Sequence, residues 1–208
     1  MTADDAEITG HELPRSALCS DMPEVRDQDA LELLRRRDER GFDLAYARYA
    51  QRIFGFLVRL ARSRAVAEDL FQHTFLRLAE AGPRLRPDSD LRAWLFSVAR
   101  NAFHSHARAR IVEARVDSAL LSIPCGVAEG PESGLALRQL DQALLGLNHD
   151  DRELLLLVGV EGLSYEETAA VLRVDQVTVR KRVSRARARL AQALDGEGRL
   201  VRKSETSK

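Results

Sequence analysis

The apolar positions of this chain recur at helical intervals, in blocks separated by short polar breaks. Phe42, Tyr46, Tyr49, Ile53, Phe56, Leu57 and Leu60 fall on one face of a helical repeat, in a periodic stretch that begins near Gln28. Ala67, Leu70, Phe71, Thr74, Phe75 and Leu78 form a second stripe and predict a helix from about Ala65 to Ala81. "AGPRLRPDSD" (Ala81–Asp90) interrupts it with Gly82, Pro83 and Pro87. Asp90 is placed to cap a third helix, in which Leu91, Leu95, Val98 and Ala102 share a face as far as about Arg110. Trp94 on that helix is expected to pack into the core, with its polar end near the surface.

"SIPCGVAEGPESG" (Ser122–Gly134) then reads as a linker. Periodicity returns with Leu137, Leu140, Leu144 and Leu147. "DDRE" (Asp150–Glu153) offers Asp150 as a helix cap with a glutamate three residues on, and "SYEE" (Ser164–Glu167) is a full capping box. Asp175 is a further cap, with Val179, Val183, Ala186 and Leu190 on one face behind it. The run with most strand character, Leu154–Val160, lies among these helical signals. The expected fold is therefore all-α: two small helical domains joined by a flexible linker. The boundaries are an acidic, disordered extension over 1–27, a first domain over 28–112, a linker over 113–134, a second domain over 135–194 and a polar, frayed tail over 195–208.

Composition narrows the function. The 208 residues are 45% hydrophobic and 31% charged, which allows a core, and Leu, Ala, Arg and Glu dominate, which favours helices. No segment approaches ~18 consecutive apolar residues, and the N-terminus has no apolar leader core, so a reduced, soluble, cytoplasmic protein without membrane insertion is expected. Cys19 and Cys125 stand too far apart in sequence for a disulfide framework or a zinc pattern. No Walker motif, G-x-G-x-x-G, H-E-x-x-H or C-x-x-C is present, so neither enzyme activity nor a cofactor is expected. His104 and His106, two apart on a helix, point away from each other and predict no metal site.

Charge points to a polyanion. The chain has formal net charge zero, yet Arg180–Arg189 holds six basic side chains and no acid. Ser164–Leu172 and Val177–Leu190 read as a short and a longer helix joined by the tight turn "RVDQ" (Arg173–Gln176), the arrangement of a helix–turn–helix unit. Ala169 and Leu172 are placed to pack against Val174, Val179 and Val183. Gln176, Thr178, Arg180, Lys181, Arg182, Ser184, Arg185 and Arg187 are left outward or flanking, where such a helix enters a DNA major groove and arginine bonds guanine bidentately. Arg173 occupies a turn position that often takes glycine for its positive φ, so the turn is expected to deviate or to carry strain.

"AEDLFQHTFLRLAE" (Ala67–Glu80), "LRAWLFSVARNAFHSHARAR" (Leu91–Arg110) and "RELLLLVGVEGLSYEETAAVLRVDQVTVRKRVSRARARL" (Arg152–Leu190) stand in the order found in bacterial sigma factors. The chain resembles the extracytoplasmic-function (ECF) group of the sigma-70 family, which keeps only regions 2 and 4, over roughly Gln28 to Leu194. The resemblance implies that region 2 contacts the β′ clamp helices of core RNA polymerase and reads the −10 element. It implies that region 4 reads the −35 element of promoter DNA and touches the β flap, and that an anti-sigma factor is a further partner. It assigns polymerase binding to Asp69, Gln72, His73 and Leu76, which share a helix face. It assigns −10 recognition to Arg84, Arg86, Arg100, Asn101, His104 and Arg108. His73 stands where the family has glutamate, and Ser105 where it often has aspartate. The alternatives are a helix–turn–helix regulator that acts without polymerase and a sigma-like decoy that binds a regulator.

Overall fold

The computed structural model describes residues 26–116 and 135–205. The expected disordered extension, except its last two residues, and the stretch 117–134 of the expected linker lie outside the described residues. The described chain forms eight α-helices: α1 (Asp27–Arg35), α2 (Glu39–Ala61), α3 (Arg64–Ala81), α4 (Leu91–Val116), α5 (Leu135–Gly146), α6 (His149–Leu155), α7 (Tyr165–Leu172) and α8 (Gln176–Glu205). The all-α expectation holds. The backbone of α8 stays helical beyond Ala193, where the sequence was expected to fray.

Local chemistry sets the breaks in the first half. Arg37 takes a left-handed conformation (φ 59°) between α1 and α2. Asp38 then caps α2 by accepting from the Arg40 amide at 3.1 Å. Gly41 lies so close to α1 that a Cβ there would sit 2.5 Å from the Leu34 amide nitrogen, so the α1–α2 corner depends on a residue without a side chain. Arg62, also left-handed (φ 57°), ends α2, and the Ser63 hydroxyl starts α3 by accepting from Val66 N at 3.4 Å. Pro83 lies in a 3-10 turn over Gly82–Arg84, and the Asp90 carboxylate accepts from Ala93 N at 2.9 Å, capping α4 as expected.

The apolar stripe of α2 buries Tyr49, Ile53, Phe56, Leu57 and Leu60 against Ala67, Leu70, Phe75 and Leu78 of α3. Its aromatics meet edge to face: Tyr46 and Phe75 at 5.0 Å between ring centres, Phe56 and Phe96 at 5.4 Å. Trp94 is half-buried against this core, as expected. On α4 the buried face is wider than the Leu91–Leu95–Val98–Ala102 stripe and takes in Phe96, Ala99 and Phe103, while Val98 is half-buried.

In the second half one cap differs from expectation. Asn148, not Asp150, caps α6: its Oδ1 accepts from Asp151 N at 2.9 Å, which leaves Asp150 exposed inside the first turn. The buried Arg152 replaces water at the end of α5, donating to the carbonyls of Leu144, Leu145 and Leu147 at 2.8–3.0 Å. The strand-like run is helical: Leu154 and Leu155 close α6, and Leu156–Val160 form a wider π-helical turn.

The two halves are not separate bodies. Buried side chains of α2, α3 and α4 form one continuous apolar cluster with those of α6, α7 and α8. Beyond the chain that joins them, the halves meet directly: α4 packs on α7, and α2 on α6.

Candidate nucleic-acid interface and the seam beside it

The helix–turn–helix is built by its caps. Ser164 Oγ accepts from Glu167 N at 3.1 Å and Glu167 Oε2 accepts from Ser164 N at 2.6 Å, closing the capping box read in the sequence. Arg173 ends α7 in the left-handed region (φ 55°, ψ 46°). The turn therefore keeps the glycine-type backbone with an arginine in it, at a cost of about 1 kcal/mol. Asp175 starts α8, accepting from the Thr178 amide at 2.7 Å and the Thr178 hydroxyl at 2.6 Å.

Val179, Val183 and Ala186 are buried with Val171, while Ala169, Leu172 and Val174 pack around them. That anchors one face of α8 and turns the other outward. Gln176, Arg180, Lys181, Arg182, Ser184, Arg185 and Arg187 are all exposed, and Thr178 is half-buried, its hydroxyl donating to Asp175. The structure thus brings the predicted set, apart from half-buried Thr178, onto an open, basic surface.

On α3, Asp69, Gln72, His73 and Leu76 are exposed together, with Leu76 at 64% accessibility, an apolar side chain presented to solvent among polar neighbours. The −10 set divides. Arg84, Arg86, Asn101 and Arg108 are exposed; Arg86 pairs with Asp88 at 2.9 Å and Arg108 donates to Ser105 Oγ at 3.2 Å. Arg100 and His104 instead face the second half. Arg100 Nε lies 2.6 Å from Glu153 Oε1, close enough for an ion pair but without hydrogen-bond alignment. His104 Nε2 lies 3.1 Å from the same oxygen.

These contacts belong to a seam of charge. Arg92 donates to Glu167 Oε1 at 3.0 Å through Nε. Arg52 donates to the Glu161 carboxylate at 3.1 Å and to its carbonyl at 2.5 Å. Arg59 reaches Asp141 at 3.5 Å. In each pair the base comes from α2 or α4 and the acid from the second half. Glu153, Glu161 and Glu167 are thus functional candidates that sequence reasoning did not single out. They lie 49 to 109 positions from their partners, and no periodicity reaches that far.

The seam shifts its own acids in opposite directions. Burial pushes Glu161 up from the usual carboxylate range, and Arg52, the nearest opposing charge, does not overcome it. At Glu167 burial also opposes ionisation, but the Arg92 guanidinium and the Ser164 amide and hydroxyl outweigh it and hold the carboxyl at about 2. Burial pushes the His149 imidazole down, favouring its neutral form.

Family models match the chain twice: Sigma-70 region 2 over residues 45–111 and Sigma-70, region 4 over residues 137–190. The chain is 31% identical over 186 residues to RNA polymerase sigma-H factor of Pseudomonas aeruginosa, covering 83% of this chain and 96% of that one. It is 33% identical over 165 residues to RNA polymerase sigma factor CarQ of Myxococcus xanthus, covering 79% and 95%. Among solved structures it resembles the sigma factor RpoE in complex with the anti-sigma factor NepR from Bartonella quintana, with TM-score 0.68, 31% identity, and coverage of 74% of this chain and 96% of that one. CnrH in complex with the cytosolic domain of CnrY matches with TM-score 0.62 and 26% identity over 82% of this chain and 97% of that one. Among the described residues no helix is long and apolar enough to cross a membrane. With both family regions in order and an intact helix–turn–helix inside the second, the chain belongs to the sigma-70 family of RNA polymerase sigma factors, in its ECF group.

Proposed function

We propose that this chain binds core RNA polymerase and directs initiation at promoters recognised through −35 and −10 elements. The carrying observation is the exposed basic face of α8, anchored by Val179, Val183 and Ala186 and preceded by a capped turn. That face enters the major groove of the −35 element. Arg180, Arg182 and Arg185 supply bidentate or phosphate contacts, and Gln176, Thr178, Lys181, Ser184 and Arg187 flank them. On α3, exposed Leu76 with Asp69, Gln72 and His73 docks on the polymerase clamp, an apolar contact ringed by polar groups.

Asn101 and Arg108 on α4, with Arg84 and Arg86 on the preceding turn, meet the opened −10 strand by hydrogen bonds and phosphate contacts. Arg100 and His104 belong to the same face but are engaged by Glu153, so they reach DNA after the halves part. Region 4 acids on region 2 bases explain how a chain of zero net charge keeps DNA-binding surfaces without binding DNA tightly when free. An anti-sigma factor that favours the closed arrangement is a natural partner, and the solved relative RpoE is in complex with the anti-sigma factor NepR.

The test is transcription in vitro with purified core polymerase on fragmented genomic DNA, sequencing the RNA 5′ ends. New start sites that depend on the protein and share two spaced upstream motifs are expected. Active polymerase with folded protein and no dependent starts would overturn the proposal.

A further inference from the structure

The seam between α4 and α6 gathers three ligand-type side chains that no motif in the sequence links. His104 comes from α4, and His149 and Glu153 come from α6. One ligand atom of each lies within 4.8 Å of the others. His104 Nε2 is 3.1 and 3.3 Å from the two Glu153 oxygens. Two ligands of a tetrahedral ion with bonds of about 2.0–2.1 Å stand about 3.3–3.4 Å apart, so this pair already has the required spacing. His149 and Glu153 are four residues apart and project from one side of α6.

The third ligand is held, and one of its ring nitrogens is left without a partner. The Phe103 ring stacks on His149 at 4.8 Å and 10° between planes, fixing the imidazole. His149 Nδ1 faces the Asp150 carboxylate at 3.8 Å, while Nε2 is shielded from solvent and has no hydrogen-bond partner. A shielded ring nitrogen with no partner calls for an occupant, an ion or a water.

We infer that His104, His149 and Glu153 bind a divalent zinc-type cation across the seam and so clamp the two halves of the sigma factor closed. Two imidazoles and one carboxylate are a zinc donor set, with a fourth position left for water. Arg100 contests the site through Glu153 Oε1, but its ion pair lacks hydrogen-bond alignment, and Oε2 remains for the metal. Because the ligands come from both halves, the ion binds the closed arrangement and stabilises it by mass action. The binding stands apart from the proposed promoter reading; only its consequence, that zinc withholds Arg100 and His104 from DNA, rests on it.

The experiment is a titration of the full chain with Zn²⁺ in competition with a chromophoric chelator, on a Cys19→Ser/Cys125→Ser background so that thiols do not contribute. One equivalent is expected to bind. His104→Ala, His149→Ala and Glu153→Gln should each weaken binding at least about tenfold, the scale on which even supporting groups of metal sites act. His106→Ala and His73→Ala serve as controls and should leave binding unchanged. Circular dichroism confirms that each variant is folded. Absence of a zinc equivalent in the folded chain overturns the inference, as does binding that survives both histidine substitutions. Binding lost with His149 but indifferent to His104 would place the ion on α6 alone and also overturn the clamp. None of these outcomes reads transcription, so a failure here is distinct from a failure of the sigma reading.

Discussion

Helices α4 and α8 carry comparable rows of basic side chains, and the fold treats them in opposite ways. On α8, Arg180, Lys181, Arg182, Arg185 and Arg187 stand exposed because the buried valines lie on the opposite face. On α4, Arg92, Arg100 and His104 are turned inward onto Glu167 and Glu153. The difference lies in what packs against each helix. Acids of the second half cover α4, and nothing among the described residues covers the outer face of α8. A basic helix face is therefore an offer to a polyanion, and tertiary packing decides whether the protein itself takes up the offer first. By this comparison the proposed −35 face is open in the free chain, while the proposed −10 face has Arg100 and His104 engaged by Glu153 and Arg84, Arg86, Asn101 and Arg108 exposed.

The sharpest way to break the comparison is to remove the acid under α4. Glu153 is buried to 3% side-chain accessibility beneath Arg100 and His104. Glu153→Ala is expected to destabilise the closed arrangement by about 3 kcal/mol, the low end for a buried pair that loses one partner, because the bases regain water when the halves part. Denaturant unfolding reads the loss, and affinity for single-stranded −10 DNA should rise in the same variant.

On the α8 side, Arg182→Ala should leave unfolding unchanged and cost ~1–3 kcal/mol in binding to a −35 duplex if the side chain reads a base. Measured across variant duplexes, a loss confined to one base position marks base reading; a uniform loss marks a phosphate contact.

Acid should open the seam in a defined window. Glu167 is held at about 2 against an ordinary value of 4.5, so its stabilisation is complete above pH 4.5 and fades as pH falls towards 2. Glu161, shifted up by burial, acts in the opposite sense: protonation relieves a buried charge. Glu167→Gln should therefore flatten the acid side of the stability profile, an effect of about 1 kcal/mol for a partly screened pair.

Arg173→Gly tests the turn that presents α8. It removes the left-handed strain and should raise unfolding stability by somewhat under about 1 kcal/mol, since glycine also gains freedom in the unfolded chain. Smallest of all, Asp141→Asn breaks the Arg59 pair, in which both side chains are 40% exposed, and should change stability by about 0.5 kcal/mol or less. A large effect there would mean that the seam acts as one network rather than as separate pairs.

Helix positions, most caps, the turn and the exposed basic face of α8 were all legible in the sequence, because each depends on residues three or four apart. The stripes of α2 and α3 match their buried faces, the Ser164–Glu167 box closes as read, and all but one of the recognition residues of α8 are exposed. Local reading failed in two ways, once through a rival cap two residues upstream and once through packing against other helices. Asn148 displaced Asp150 as a cap, and α4 buried Phe96, Ala99 and Phe103 beyond its expected stripe.

Periodicity and capping are short-range physics, so they already set which helix faces carry basic or polar side chains. Which of those faces stays free was settled by how the helices pack. That packing closed α4 onto the second half, paired Arg100 and His104 with Glu153, and brought His149 beside them. Arg100 and His104 meet residues at least 45 positions away, and the energy that selects those contacts comes from burying a shared core, which no local pattern records.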